Sequence, residues 1–348
     1  MTQDRTIKTL LFFCATILIF GGLYLARPIV APVVFSLFVI AVVWPVQRVL
    51  QKSLPKLLAV TITILGVVVV ISVLGILLIW SLSKVVQWFT SNADRLQSLY
   101  IHAMEWLNGH GVPIADLLTE NYSITSWLIP AVKGVGGRGY RLTSFAVIAF
   151  AFTVLGLLEV DVARRNIERL RNAEIGQLLL VAGADIAAKL QKYMMVRSVM
   201  SLLTGVVVWS FALLAGIELA TAWGVIAFVL NYIPFLGPLF ATIFPTLFAL
   251  VQFESWRLAI GVFACLNLIQ FLIGSYLEPR MAGAALSISP FIVLLAVFFW
   301  SFLWGIAGAF VGVPIVIAFL AVCNEHESTR WVAQLLSGRN SDPALKRN

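Results

Sequence analysis

Charge is what this sequence has least of. Only 11% of its 348 residues are Asp, Glu, Lys or Arg, against about 25% in soluble domains. A water-facing shell cannot be assembled from that supply, which excludes a soluble enzyme, a secreted scaffold and a disordered chain. Histidine is scarce as well: His102, His110 and His326 are the only three, too scattered for a metal centre or a base–nucleophile pair. The three cysteines, Cys14, Cys265 and Cys323, stand far apart in or beside apolar runs. They read as small hydrophobes, with no disulfide or thiolate framework. No G-x-x-x-x-G-K-[ST] loop occurs, so ATP-driven pumping by this chain alone is not expected. Paired aspartates, a Ser–His pair or H-E-x-x-H at membrane depth are also missing, and intramembrane proteolysis would need one of them. The expectation is no enzyme, no cofactor and no metal.

What is there is apolar: 61% of the chain is hydrophobic. The fold class this implies is an all-α polytopic membrane protein. The net charge of +8 then records orientation across the bilayer, with no nucleic-acid partner implied. A helix needs about 20 apolar residues to cross the hydrocarbon, and the runs near 10–26, 29–47, 57–80, 142–158, 199–217 and 258–276 qualify. The first runs through Arg27-Pro28 directly into the second, which fits a retained anchor better than a cleaved leader.

Two further stretches, 219–252 and 288–322, are too long for one crossing and too short for two. The first is interrupted at Asn231-Tyr232-Ile233-Pro234-Phe235-Leu236-Gly237-Pro238, the second at Ser301, Gly305, Gly308 and Gly312-Val313-Pro314. Backbone groups freed at membrane depth must be met by protein or by a water-filled cavity. Each stretch is therefore read as a re-entrant hairpin, giving about six full spans plus two hairpins. With six spans and both termini cytoplasmic, 17 Lys and Arg fall inside and 7 outside. Treating the two odd stretches as ordinary spans exchanges Arg257 for Arg280 and leaves that count unchanged. The positive-inside rule supports the orientation and does not separate hairpin from span.

The expected organisation is a three-span unit over 1–80, an extracytoplasmic amphipathic insert over 81–141, and a fourth span with a cytoplasmic helical connector over 142–198. A transport core over 199–324 and a cytoplasmic tail over 325–348 follow. The insert carries Trp88, Trp106 and Trp127, suited to helices lying at the interface. Its Gly134-Val135-Gly136-Gly137-Arg138-Gly139 run satisfies G-x-G-x-x-G but lacks a βαβ context, so it reads as a hinge, and Asn121-Tyr122-Ser123 is a chance-level sequon.

The acidic residues Glu159, Asp161, Glu218, Glu254 and Glu278 all sit at the ends of apolar runs. A carboxylate at mid-membrane, the usual proton or sodium relay, is not visible. The polar residues in apolar context are neutral: Asn231, Tyr232, Asn267 and Gln270. They either hydrogen-bond between helices or line a solute path.

The run Asn231 to Pro238 resembles the IPxxGP signature of the autoinducer-2 exporter (AI-2E, PerM-like) family. Gln270, then Glu278-Pro279-Arg280, Gly283, Leu286, Ser289-Pro290, Trp304-Gly305, Gly308 and Val313-Pro314 resemble its second signature in order and spacing, over about residues 199–337. The resemblance implies a bacterial inner-membrane transporter of a small-molecule solute, with autoinducer-2 exported by known members and sodium(lithium)/proton antiport described for others. It also implies a homo-oligomer in the lipid bilayer, pentameric in known members, with hairpins that move like an elevator. The solute path is then assigned to Asn231, Tyr232, Pro234, Gly237, Pro238, Gln270, Ser289, Pro290, Gly305, Gly308 and Pro314, with Glu278 and Arg280 as gating or boundary charges. One departure is specific. Where many members carry an acid and an asparagine after the glutamine, this chain has Ile273 and Ser275, which weakens an antiporter reading. Antiport and a non-transporting membrane scaffold stand as the alternatives to solute export.

Overall fold

The computed structural model describes residues 2–109, 139–283, 288–325 and 327–336. Trp127, the sequon, His110, His326, Leu286 and residues 134–138 of the glycine run lie outside the described residues. Among the described residues every element is an α-helix save one π turn: α1 Thr2–Leu25, α2 Arg27–Leu50, α3 Lys56–Ser91, α4 Ala93–Gly109, α5 Gly139–Glu168, α6 Ala173–Leu214, α7 Ala220–Leu230, α8 Leu236–Phe253 and α9 Trp256–Phe271 come first. The π turn Leu272–Leu277, α10 Glu278–Ala282, α11 Pro290–Trp304, α12 Ile306–Glu325 and α13 Arg330–Leu336 follow. Among the described residues, seven helices are long and apolar enough to cross a bilayer. The chain is an all-helical polytopic membrane protein. Its apolar side chains are largely exposed because lipid is their solvent, so van der Waals fit and interhelical hydrogen bonds hold the helices together.

All six expected spans lie in helices. Over the connector expected after the fourth span, α5 carries its helix on to Glu168, and α6 runs unbroken from Ala173 to Leu214. Both odd stretches are helix–break–helix pairs, α7–α8 and α11–α12. Their arms are unequal. α7 and α11 hold 11 and 15 residues, whereas α8 and α12 hold 18 and 20. At about 1.5 Å per residue the second arms reach about 27–30 Å, the length of a crossing, which two equal half-helices would not give. Only Gly305 breaks the second stretch. Gly312 and Pro314 lie buried inside α12, where packed neighbours tolerate a proline.

The chain divides into two units. Unit 1 comprises residues 1–65, 143–194 and 282–348. In it, α1 meets α11 through Phe20 on Phe299 (centroids 5.1 Å apart) and Tyr24 on Phe302. Gln47, fully buried on α2, donates from Nε2 to the Leu157 carbonyl at 3.4 Å, and Lys56 pairs with Asp161 at 2.9 Å. The arms α11 and α12 run antiparallel: a Cβ on Gly308 would strike the Trp300 carbonyl, and one on Gly312 would lie 2.8 Å from that of Ala296. Gly305 turns the chain at φ 66°, ψ −142°, a conformation open only to glycine. Both ends of this pair are held by α13 and by Thr329 just before it. Ser289 N–H donates to the Leu336 carbonyl at 3.2 Å, Thr329 Oγ1 to that of Cys323, and Ala333 packs on Leu320 and Cys323.

Unit 2 comprises residues 66–142 and 195–281. Its core joins Val208 and Ala212 of α6, Trp223 and Ala227 of α7, Phe248 of α8, and Val262 and Leu266 of α9. Trp88 at the end of α3 stacks on Phe248 (4.2 Å) and donates from Nε1 to Glu218 at 2.5 Å. Gln252 then closes the two ends of the α7–α8 pair, accepting from Glu218 N–H at 2.9 Å and donating to the Gly216 carbonyl at 2.8 Å.

Candidate functional site

In unit 2 a polar face lies on α6. Arg197, Ser201 and Thr204 recur at spacings of four and three, which places them on one side of a helix, and they are 7%, 0% and 0% exposed. Over that stretch the axis rises about 10 Å. Each polar group but the last has a partner on another segment. Arg197 grips Glu278 with both terminal nitrogens: Nη1 donates to Oε2 at 3.2 Å and Nη2 lies 3.1 Å from Oε1, the two-pronged geometry in which guanidinium and carboxylate pair best. The Tyr232 hydroxyl donates to Ser198 Oγ at 3.1 Å, and Asn231 Nδ2 donates to Ser201 Oγ at 3.3 Å. Thr204 Oγ1 is buried with no hydrogen-bond partner among the described residues.

Three backbone devices bring these groups together. First, α6 and α7 touch backbone to backbone through two glycines. A Cβ on Gly205 would lie 2.7 Å from Phe228 Cβ, and one on Gly224 2.6 Å from Trp209 Cβ. That antiparallel register carries the end of α7, and so Asn231 and Tyr232, to the level of Ser198 and Ser201. Second, the break at 231–235 is a tight fold. Leu236 N–H donates to the Pro234 carbonyl at 2.7 Å around Phe235, whose φ is 61° and ψ −50°. This is the rare positive-φ γ-turn, strained for a bulky residue. Gly237 follows because α8 presses on the end of α7: a Cβ there would meet the Leu230 carbonyl. Third, the π turn shifts the face of α9. Leu266 and Ile273 are buried one above the other, and an ordinary helix would continue that face at Leu277. Glu278 N–H bonds instead to the Ile273 carbonyl, five residues back. The extra residue brings the Glu278 carboxylate onto the buried face, and π turns of this kind recur at functional sites.

The remaining expected residues fall as follows. Pro234, Gly237 and Pro238 form the break beside Asn231 and Tyr232. Gln270 lies just before the π turn with Nε2 buried and unpartnered among the described residues, whereas Asn267 bonds back to the Phe263 carbonyl at 2.8 Å. Arg280 parts from Glu278: its guanidinium lies over the Tyr276 ring at 4.1 Å on an exposed face. Ile273 is buried and Ser275 is exposed. Ser289, Pro290, Gly305, Gly308 and Pro314 belong to unit 1, at the foot, the break and the arms of the α11–α12 pair.

Hydropathy hides Ser201 and Thr204 inside the apolar run 199–217, and Arg197 and Ser198 stand just before it, where they read as part of the charged cytoplasmic connector. The signal was present in the spacing Arg197, Ser201, Thr204-Gly205 inside an apolar helix.

Similar proteins match this chain over much of its length. The AI-2 transport protein TqsA of Escherichia coli (strain K12) is 25% identical over 341 residues, 97% of each chain. A Haemophilus influenzae protein described in terms of transport is 26% identical over 354 residues, 94% of this chain and 96% of that protein. A Borreliella burgdorferi protein, also described in terms of transport, is 28% identical over 220 residues, which span 63% of this chain and 61% of that protein. The pattern described as AI-2E family transporter matches residues 13–327, and over that extent this chain belongs to the AI-2E family of membrane transporters.

Proposed function

We propose that the chain is a secondary transporter or facilitator of the bacterial cytoplasmic membrane that exports a small, neutral or weakly polar solute, with both termini cytoplasmic and the working form a homo-oligomer. The observation that supports this most is the ladder of neutral polar groups that runs from the half-buried pair Ser198–Tyr232 to the buried pair Ser201–Asn231 and ends at the buried Thr204 hydroxyl, unmatched among the described residues. A buried hydroxyl without a partner costs about 1–3 kcal/mol, and a solute oxygen would meet it. The ladder lies at the break of the α7–α8 pair, where irregular backbone at membrane depth serves solute binding in other transporter folds. In this reading both interrupted pairs are re-entrant and move during transport. Autoinducer-2, named in the TqsA description, is the first solute to try.

Antiport is the weaker reading. Its relay would need an uncompensated carboxylate, and Glu278 is held by Arg197. The experiment is solute flux into proteoliposomes with Asn231→Ala. Loss of flux with an unchanged thermal melting profile supports the site; wild-type flux removes it.

A further inference from the structure

The Arg197–Glu278 pair is a second chemical element beside the neutral ladder, and hydroxyl–amide recognition leaves it unexplained. Arg197 is the one charged residue among the buried polar residues described, and its side chain is 8% exposed against 22% for Glu278. Ionised groups at such depth are costly and are kept where they serve a pathway. A mere structural clasp could be apolar, since hydrophobic replacements of buried pairs often hold a fold as well or better. The location is also specific. Arg197 directly precedes Ser198, which holds Tyr232, and lies one turn from Ser201, which holds Asn231. The backbone of α9 departs from α-helical form at the π turn, which delivers Glu278 to that spot.

We propose that the Arg197–Glu278 pair is a charge filter for the solute ladder. Its two opposite charges cancel beside the hydroxyls, so the ladder admits neutral solutes and rejects ions of either sign. The two residues thus determine specificity and do not bind the solute themselves. This rests on the transport reading above and adds which property of the solute is selected. Removing one partner leaves a single charge in a medium that screens poorly, and the preference must then shift toward the opposite sign. Glu278→Gln makes the site one charge more positive and favours anions; Arg197→Gln makes it one charge more negative and favours cations. The double variant R197Q/E278Q is neutral again.

The test is flux in phosphatidylethanolamine–phosphatidylglycerol vesicles with three solutes of similar size: neutral erythritol, anionic erythronate and cationic choline. The wild type is expected to prefer erythritol. E278Q should raise the erythronate-to-erythritol ratio by about tenfold or more, R197Q should raise the choline-to-erythritol ratio, and the double variant should return to the wild-type order. Should E278Q fail to fold, R197Q together with the swapped pair R197E/E278R decides the matter: the swap must keep the neutral preference while R197Q loses it. A wild type that discriminates, with folded single variants that discriminate equally, overturns the filter and leaves the transport reading intact. A wild type that moves none of the three overturns the transport reading and the filter with it.

Discussion

In the α7–α8 pair the chain turns through residues 231–235, with Asn231 and Tyr232 tied to serines of α6 and a strained Phe235 closing the fold. In the α11–α12 pair it turns at Gly305 alone, and the arms behind it meet through Gly308 and Gly312 against carbonyls of Trp300 and Ala296. Both arrangements solve the problem of a backbone break in apolar surroundings. The first does so with side chains that can also recognise a solute, the second with close packing of small residues. The difference teaches that an interruption in a membrane helix is not by itself a site: chemistry needs polar partners that converge on the break, and among the described residues only the first pair has them.

The largest effect is expected where packing carries the structure. Gly308→Ala drives a methyl into the Trp300 carbonyl, and overpacking of that kind should destabilise by about 3 kcal/mol or more, seen as a lower melting temperature in detergent. A tolerated alanine would show that the second pair is looser than its geometry. Gly305→Ala is expected to cost about 1–3 kcal/mol through backbone strain in the same assay. Ser201→Ala should act oppositely, lowering solute flux by about tenfold while stability falls only by the ~1 kcal/mol of one hydrogen bond. If stability and flux fell in proportion, the contrast between the two pairs would collapse. The smallest effect is expected at Phe235→Gly, where relief of the positive φ and added chain freedom nearly offset; a shift of under about 1 kcal/mol on thermal melting fits, and a large loss would assign the turn a packing role.

The helices were legible in sequence because membrane spans announce themselves by uninterrupted hydrophobicity, and so were the two interruptions, since Pro234-Phe235-Leu236-Gly237-Pro238 and Gly305 lie inside apolar stretches of the wrong length. What could not be read was which polar groups meet. Hydropathy averages over a window, and Ser201 and Thr204 vanish inside the run that contains them, while Ser198 falls just before it, at the end of the polar connector. Arg197 is indistinguishable from an interfacial charge until the π turn is seen to swing Glu278 against it. Pro314 erred in the other direction: a proline reads as a break, yet packed neighbours keep α12 continuous through it.

Thr204→Val tests the assignment of the ladder most directly. Valine keeps the shape and removes only a hydroxyl that bonds to nothing among the described residues, so a purely structural role predicts no loss. Solute flux in proteoliposomes should fall about fivefold or more, with melting temperature unchanged or slightly raised. Wild-type flux from a folded Thr204→Val protein would contradict the assignment of the α6 ladder as the solute site.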